Sequence, residues 1–246
     1  MIRAAAALCM AGIITGVTNA ASFTANIAAA GWVSIFGTNL SAITATWGSS
    51  DFVNGALPTT LGGVSVTIDG LPAYVEFISP TQINVLAPDD TKTGAVAVQV
   101  TAAGQTSNSF TAQKQEYVPA FFTFDNGKYV AALHNANYTY VGAASVVAGA
   151  TPAVPGEVVL LYGTGFGPTD PATPTDQLVA SPASLPANSV QITLGGVAAN
   201  VVFAGLTESG LYQFDVTVPS LPSGDAAVVA TIGGVATQTG VSITIQ

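Results

Sequence analysis

Val33-Ser34-Ile35-Phe36-Gly37-Thr38-Asn39-Leu40 returns 126 residues later as Val159-Leu160-Leu161-Tyr162-Gly163-Thr164-Gly165-Phe166. The same spacing carries Val64-Ser65-Val66-Thr67-Ile68-Asp69-Gly70 onto Val190-Gln191-Ile192-Thr193-Leu194-Gly195-Gly196, and Val75 and Phe77 onto Val201 and Phe203. Gln82 to Pro88 then matches Gln213 to Pro219 at a spacing of 131, so the second copy has gained residues around Leu206 to Leu211. Gly94 and Gly104 match Gly224 and Gly234. Four blocks in one order describe two copies of a single module.

Each copy reads as strand throughout. Val64, Val66 and Ile68 alternate with Ser65 and Thr67, and Val190, Ile192 and Leu194 with Gln191 and Thr193. A period of two puts one apolar face on a core. Further strands are expected at 73–78, 82–86, 95–101 and 106–112, with counterparts at 198–203, 211–218, 226–232 and 235–245. Gly, Pro, Asn or Asp marks nearly every gap. About seven short strands in roughly 90 to 100 residues is the immunoglobulin-like pattern. The expected fold is therefore all-β: two tandem immunoglobulin-like β-sandwich modules, 21–115 and 156–246, with an ordered connector at 116–155. In the connector, Phe121 to Phe124 and Lys128 to Leu133 flank Asp125-Asn126-Gly127, a hairpin signal.

Only 7% of the 246 residues are charged and the net charge is −9, with four basic residues, Arg3, Lys92, Lys114 and Lys128. So few cations cannot neutralise a run of phosphates, which disfavours nucleic acid and anionic lipid as partners. Residues 1–20 have the form of an export signal: Arg3, an apolar stretch from Ala4 to Val17, and Thr18-Asn19-Ala20 before a cut after Ala20. The stretch is short for a membrane helix, so no span is expected in the mature chain. The single cysteine, Cys9, lies inside it, and the modules must hold without disulfides.

The blocks also carry a resemblance. Gly156-Glu157-Val158-Val159 through Gly165-Phe166-Gly167, followed by Leu194-Gly195-Gly196-Val197-Ala198-Ala199, resembles the IPT/TIG class of immunoglobulin-like modules. Asn19-Ala20-Ala21-Ser22-Phe23, Val33 to Leu40, Leu57 to Val64, Ser79-Pro80-Thr81-Gln82-Ile83-Asn84, Pro155-Gly156-Glu157, Tyr162 to Gly167 and Gly210-Leu211-Tyr212-Gln213 together resemble the Solibacter-type C-terminal domain of secreted acidobacterial proteins. That resemblance implies export and an accessory role, and brings no catalytic residue. The usual setting is an appendage of a longer protein, whereas here only the export segment precedes the domain. Asn19 and Ala20 belong to the motif, so a cut after Ala20 divides it.

Candidate chemistry is sparse. His134 is the only histidine, and no Gly-x-Ser-x-Gly elbow accompanies it. Zinc lacks ligands, and Asp89-Asp90-Thr91-Lys92 reads as a turn rather than a calcium loop. Gly163-Thr164-Gly165-Phe166-Gly167 follows a strand but opens no helix, so a bulge or strand exit fits it better than a phosphate loop. A carboxylate pair for glycoside hydrolysis stays open, with thirteen acids scattered along the chain. Trp47, Tyr138 and Tyr140 fall in loops where an aromatic ring either stacks on a sugar or covers a sandwich end. The expectation is a non-enzymatic, cofactor-free extracellular protein that self-associates into an oligomer, filament or surface layer. The alternative is a carbohydrate-binding or adhesion module that holds a cell-surface polymer. Self-association would use uncharged edge strands at 95–101 and 226–232.

Overall fold

The computed structural model describes residues 11–246. Arg3 and Cys9 of the expected export segment lie outside them. The first sandwich is built on β1 (Ile13–Asn19), β2 (Trp32–Thr38), β3 (Val64–Ile68), β4 (Tyr74–Ile78), β5 (Gln82–Leu86), β6 (Gly94–Ala102) and β7 (Phe110–Gln115). One sheet runs β1-β2-β5-β4 and ends on Ala45–Thr46. The other runs Ile27–Ala28, β7, β6, β3 and Thr60–Leu61. Val33, Ile35, Val66, Ile68, Val75, Ile83, Val85 and Val98 fill the space between them, each almost fully buried. The alternation seen in sequence is thus the division between core and outer face.

The second sandwich repeats this order with β8 (Val158–Thr164), β9 (Val190–Leu194), β10 (Asn200–Glu208), β11 (Leu211–Thr217), β12 (Gly224–Ile232) and β13 (Ser242–Ile245). Its core adds an aromatic cluster: Phe166 lies 4.5 Å from Phe214, and Phe121 5.8 Å from Phe214, between ring centroids.

The segment expected to be a connector contributes strands to this second sandwich. Phe121 pairs with Gly163 as Ile14 pairs with Gly37, and Ala132 with Leu161 as Val17 pairs with Ile35. Ala120–Phe121 and Ala132–His134 are therefore the two halves of the second copy's first strand. The hairpin of Thr123–Phe124 with Tyr129–Val130 is inserted between them and reaches the opposite sheet at Ser242. Burying Phe121 and Val130 explains why this stretch is ordered.

A further expectation changes. Residues 95–101 and 226–232 are not edges: β6 lies between β7 and β3, and β12 between β13 and β9, with their backbone groups already paired. Of the bulge and strand-exit readings of the glycine run, the strand exit fits: β8 ends at Thr164, and Gly165 and Gly167 follow it at φ 78° and 82°. Gly163 sits in regular register against β11, and Gly37 pairs with Ile14 beside a bulge in β1. A Cβ on Gly37 would stand 2.0 Å from the Ile13 carbonyl oxygen, and one on Gly163 2.6 Å from that of Ala120. They are glycine because another strand's backbone passes there.

The sandwiches are bonded to each other at several points. The Trp32 amide donates to Thr164 Oγ1 at 2.9 Å, and that hydroxyl donates to the Gly210 carbonyl at 2.9 Å. Trp32 Nε1 donates to the Ser209 carbonyl at 3.1 Å, and Asn19 Nδ2 to that of Val118 at 2.9 Å. Farther out, Leu57 donates to the Asp176 carbonyl and Leu178 to that of Gly55, both at 2.8 Å.

Candidate functional site

The outward face of β2 and β5 is set by register. Trp32, Ser34 and Phe36 alternate with the inward Val33 and Ile35, and lie opposite Leu86, Asn84 and Gln82. β4 adds Glu76 by a bulge: Val75 faces Val85 and Phe77 faces Asn84, so Glu76 is the extra residue. A bulge turns its side chain out of the regular alternation. The second copy has the same bulge at Val202, between Val201 and Phe203. The backbone device belongs to the fold, and the carboxylate belongs to the first copy alone.

Of these, Trp32, Ser34, Glu76, Gln82 and Asn84 line an open groove of about 330 Å³ with Ala20, Phe23, Trp47, Phe122 and Glu208. Phe122 and Glu208 come from the second sandwich, so the groove exists only because the two are docked. Its aromatic wall is braced. Trp47 meets Trp32 edge-on at 5.7 Å and Phe52 at 5.2 Å, and Trp32 is pinned by its bond to Ser209. Phe23 is 59% exposed at φ 56°, a left-handed conformation that a bulky residue adopts at some cost. It packs only 6.2 Å from Phe36.

The polar side of the groove is a chain of amides and acid. Asn84 Oδ1 accepts from Ser34 Oγ at 3.0 Å and from Gln82 Nε2 at 2.9 Å, and Asn84 Nδ2 donates to Glu76 Oε2 at 3.4 Å. Gln82 Oε1, Glu76 Oε1 and the Glu208 carboxylate remain as acceptors. Burial raises the Glu76 carboxyl above the ordinary glutamate range, and the Asn84 amide partly offsets this. At the matching places the second copy has Val158 for Trp32, Leu160 for Ser34, Asp215 for Asn84 and Val202 for Glu76, retaining only Gln213.

Of the ring residues picked out from sequence, Trp47 alone lines this groove. Tyr140 packs edge-on against Phe124 at 5.6 Å, and Tyr138 is 69% exposed in the turn after His134. Trp32, Phe23, Gln82, Asn84 and Glu76 were missed. An outward tryptophan inside the strongest apolar strand was the available signal for Trp32. The others required knowing the register.

His134 is buried and bridges two segments. Its Nδ1 lies 3.0 Å from Glu157 Oε2, and its Nε2 2.9 Å from Thr151 Oγ1 and 3.2 Å from the Thr151 carbonyl. Glu157 Oε1 also accepts from the Val154 amide at 2.7 Å. The row staples Ala132–His134 to residues 151–157, and none of the three residues lines a described cavity. A second cavity, about 300 Å³, lies between the sandwiches against Asp90, Lys114, Gly167 and Tyr212. Two pairs of its polar groups bond to each other: Lys114 Nζ to Asp90 Oδ2, and the Tyr212 hydroxyl to the Gly167 carbonyl. Burial, with a smaller contribution from Asp89, pushes the Tyr212 phenol up.

Comparison with known proteins gives distant likenesses. A Bacteroides ovatus mixed-linkage glucan utilization locus protein, SGBP-B, in complex with a mixed-linkage heptasaccharide, aligns with 89% of this chain and 43% of its own, at 10% identity and a TM-score of 0.36. The surface glycan-binding protein PbSGBP-B from Prevotella bryantii aligns with 95% of this chain and 42% of its own, at 10% identity and a TM-score of 0.28. A gamma-CGTase from the alkalophilic Bacillus clarkii aligns with 92% and 24%, at 13% identity and a TM-score of 0.30. The chain thus spans less than half the length of each. No curated protein matches it. Among the described residues no helix is long and apolar enough to cross a membrane. Residues 17–115, which hold the first sandwich, match the IPT/TIG domain model.

Proposed function

We propose that the protein is an extracellular, non-catalytic carbohydrate-binding unit, in which the first sandwich holds a glycan and the second braces one wall of its groove. The observation that carries this is the pairing of a fixed aromatic wall (Trp32, Trp47, Phe23) with a hydrogen-bonded row of Gln82, Asn84 and Glu76. A pyranose ring has apolar C–H faces and a hydroxyl rim, so it needs both kinds of surface at once. Export, read from Arg3 and the apolar residues ahead of β1, belongs to the same proposal, with β1 retained in the exported protein. So does the Solibacter-type resemblance, which implies an accessory protein outside the cytoplasm.

Phe23→Ala tests the reading most cleanly, because Phe23 is largely exposed and outside the core. Titration calorimetry with soluble β-glucan and galactomannan should give saturable binding by the intact protein. Phe23→Ala and Trp47→Ala should each weaken it by about tenfold or more, or about 1.4 kcal/mol. Equal binding by all three proteins, with native melting curves, would remove the groove from consideration.

Self-association is the second reading, favoured by the outward face of β3, β6 and β7. Ser65, Thr67, Ala95, Ala97, Gln99, Thr101, Thr111 and Gln113 cover it without one charge. Such a face offers little electrostatic opposition to stacking, while the net charge of −9 opposes approach of whole molecules. Scattering intensity should therefore rise with concentration and rise further as carboxylates are protonated toward pH 4. A monomer throughout that range would exclude this reading.

A further inference from the structure

The groove's charged groups are both acids. Glu76 Oε1, Gln82 Oε1 and Glu208 face it without a basic side chain among its lining residues. The three lysines of the described residues are engaged elsewhere: Lys92 with Asp69, Lys114 with Asp90 and Lys128 with Asp225. None of the three touches the groove. With two carboxylates and no cation, the site's field is negative on both walls, Glu76 from the first sandwich and Glu208 from the second.

Resting on the carbohydrate reading above, we infer that the groove sorts glycans by charge: it favours chains bearing protonated amines, of the glucosamine type, over the same chains N-acetylated, and rejects uronates. An ammonium supplies three donors to the free carboxylate and amide oxygens, and its charge meets Glu76 where partial burial weakens screening. A uronate carboxylate would face two like charges, with only the neutral N–H groups of Asn84, Gln82 and Trp47 to offset them. The raised Glu76 carboxyl is consistent with a group that lacks a cation in the free protein. Glu76 is specific to the first copy, since the same bulge carries Val202 in the second. The charge is therefore not required to build the bulge.

The test compares three oligosaccharides of equal length, a glucosamine oligomer, its N-acetylated form and a galacturonate oligomer, with neutral β-glucan as reference. Titration is done at pH 6, at low and at high salt. The amine-bearing oligomer should bind about tenfold more tightly than the acetylated one at low salt. The gap should shrink at high salt, as exposed charges are screened within about 10 Å at 0.1 M, and galacturonate should give no heat. Glu76→Gln and Glu208→Gln should each reduce the amine-to-acetyl ratio, and together bring it close to one. Equal affinity for the amine and acetyl forms, or measurable galacturonate binding, overturns charge sorting while leaving the carbohydrate reading intact. Failure to bind any of the four, β-glucan included, sinks the carbohydrate reading itself.

Discussion

A chain beginning at Ala21 should melt far below the intact protein, because residues 13–19 are β1. Ile14 and Val17 are 3% and 5% exposed, packed into the core of the first sandwich. Burying an aliphatic side chain of this size is worth about 1.5–3 kcal/mol, so these two alone account for about 3–6 kcal/mol. Asn19 adds to this. Its Nδ2 satisfies the Val118 carbonyl across to the second sandwich, and its Oδ1 accepts from the Ala21 and Ser22 amides. Removing β1 also uncovers β2, which would become an unprotected edge. Against a total stability of about 5–15 kcal/mol, that loss is decisive for the first sandwich. Urea unfolding of the two lengths is the measurement, and coincident midpoints would show β1 to be dispensable. Intact mass of protein from its source decides the same point: the mass should include Ile13 to Asn19. The IPT/TIG match, which begins at Val17, already includes the end of this strand.

The reason β1 reads as an export segment is physical. A bulge in it, where Ile14 faces Gly37 and Gly16 faces Phe36, puts the buried Ile14 and Val17 three residues apart. The alternation that marked β3 and β9 is absent, and an apolar stretch without alternation resembles an export signal's core. The split first strand of the second copy was hidden for a similar reason. Phe121 and Ala132 hold the places of Ile14 and Val17, but a hairpin separates them. The two-copy architecture was legible because Val33 to Leu40 and Val64 to Gly70 repeat residue by residue. The groove was not, since its members are brought together by pairing between β2, β4 and β5 and by the docking of Phe122 and Glu208. Trp47 could be picked from sequence as a loop aromatic, but nothing local ties it to Asn84.

Asp90→Ala should destabilise the protein by about 3–5 kcal/mol, whereas replacing its partner as well should restore most of the loss. Lys114 is 1% exposed, and its ammonium bonds to the Asp90 carboxylate and main-chain carbonyl. Removing one member of a buried pair leaves the other's charge without compensation, which accounts for a loss of that size. The second copy shows what the position accepts otherwise. Gly94 pairs with Lys114, as Gly224 pairs with Ile245. Ile27 lies beside Lys114, as Ala153 lies beside Ile245. The loop that supplies Asp90 in the first copy is Pro219-Ser220-Leu221-Pro222-Ser223 in the second, without an acid. Lysine and aspartate are thus present together in one copy and absent together from the other. An apolar residue of similar length should therefore fit once the acid is gone, and Asp90→Ala with Lys114→Met should fall within about 1 kcal/mol of the intact protein or exceed it. The exposed pair of Lys92 with Asp69 is the control, since Asp69→Ala should cost under about 1 kcal/mol. Urea midpoints for the single and double variants complete the cycle. If Asp90→Ala were no more costly than Asp69→Ala, the Lys114 ammonium would be solvated through the cavity it lines, and the buried pair would contribute nothing to holding β7 in place.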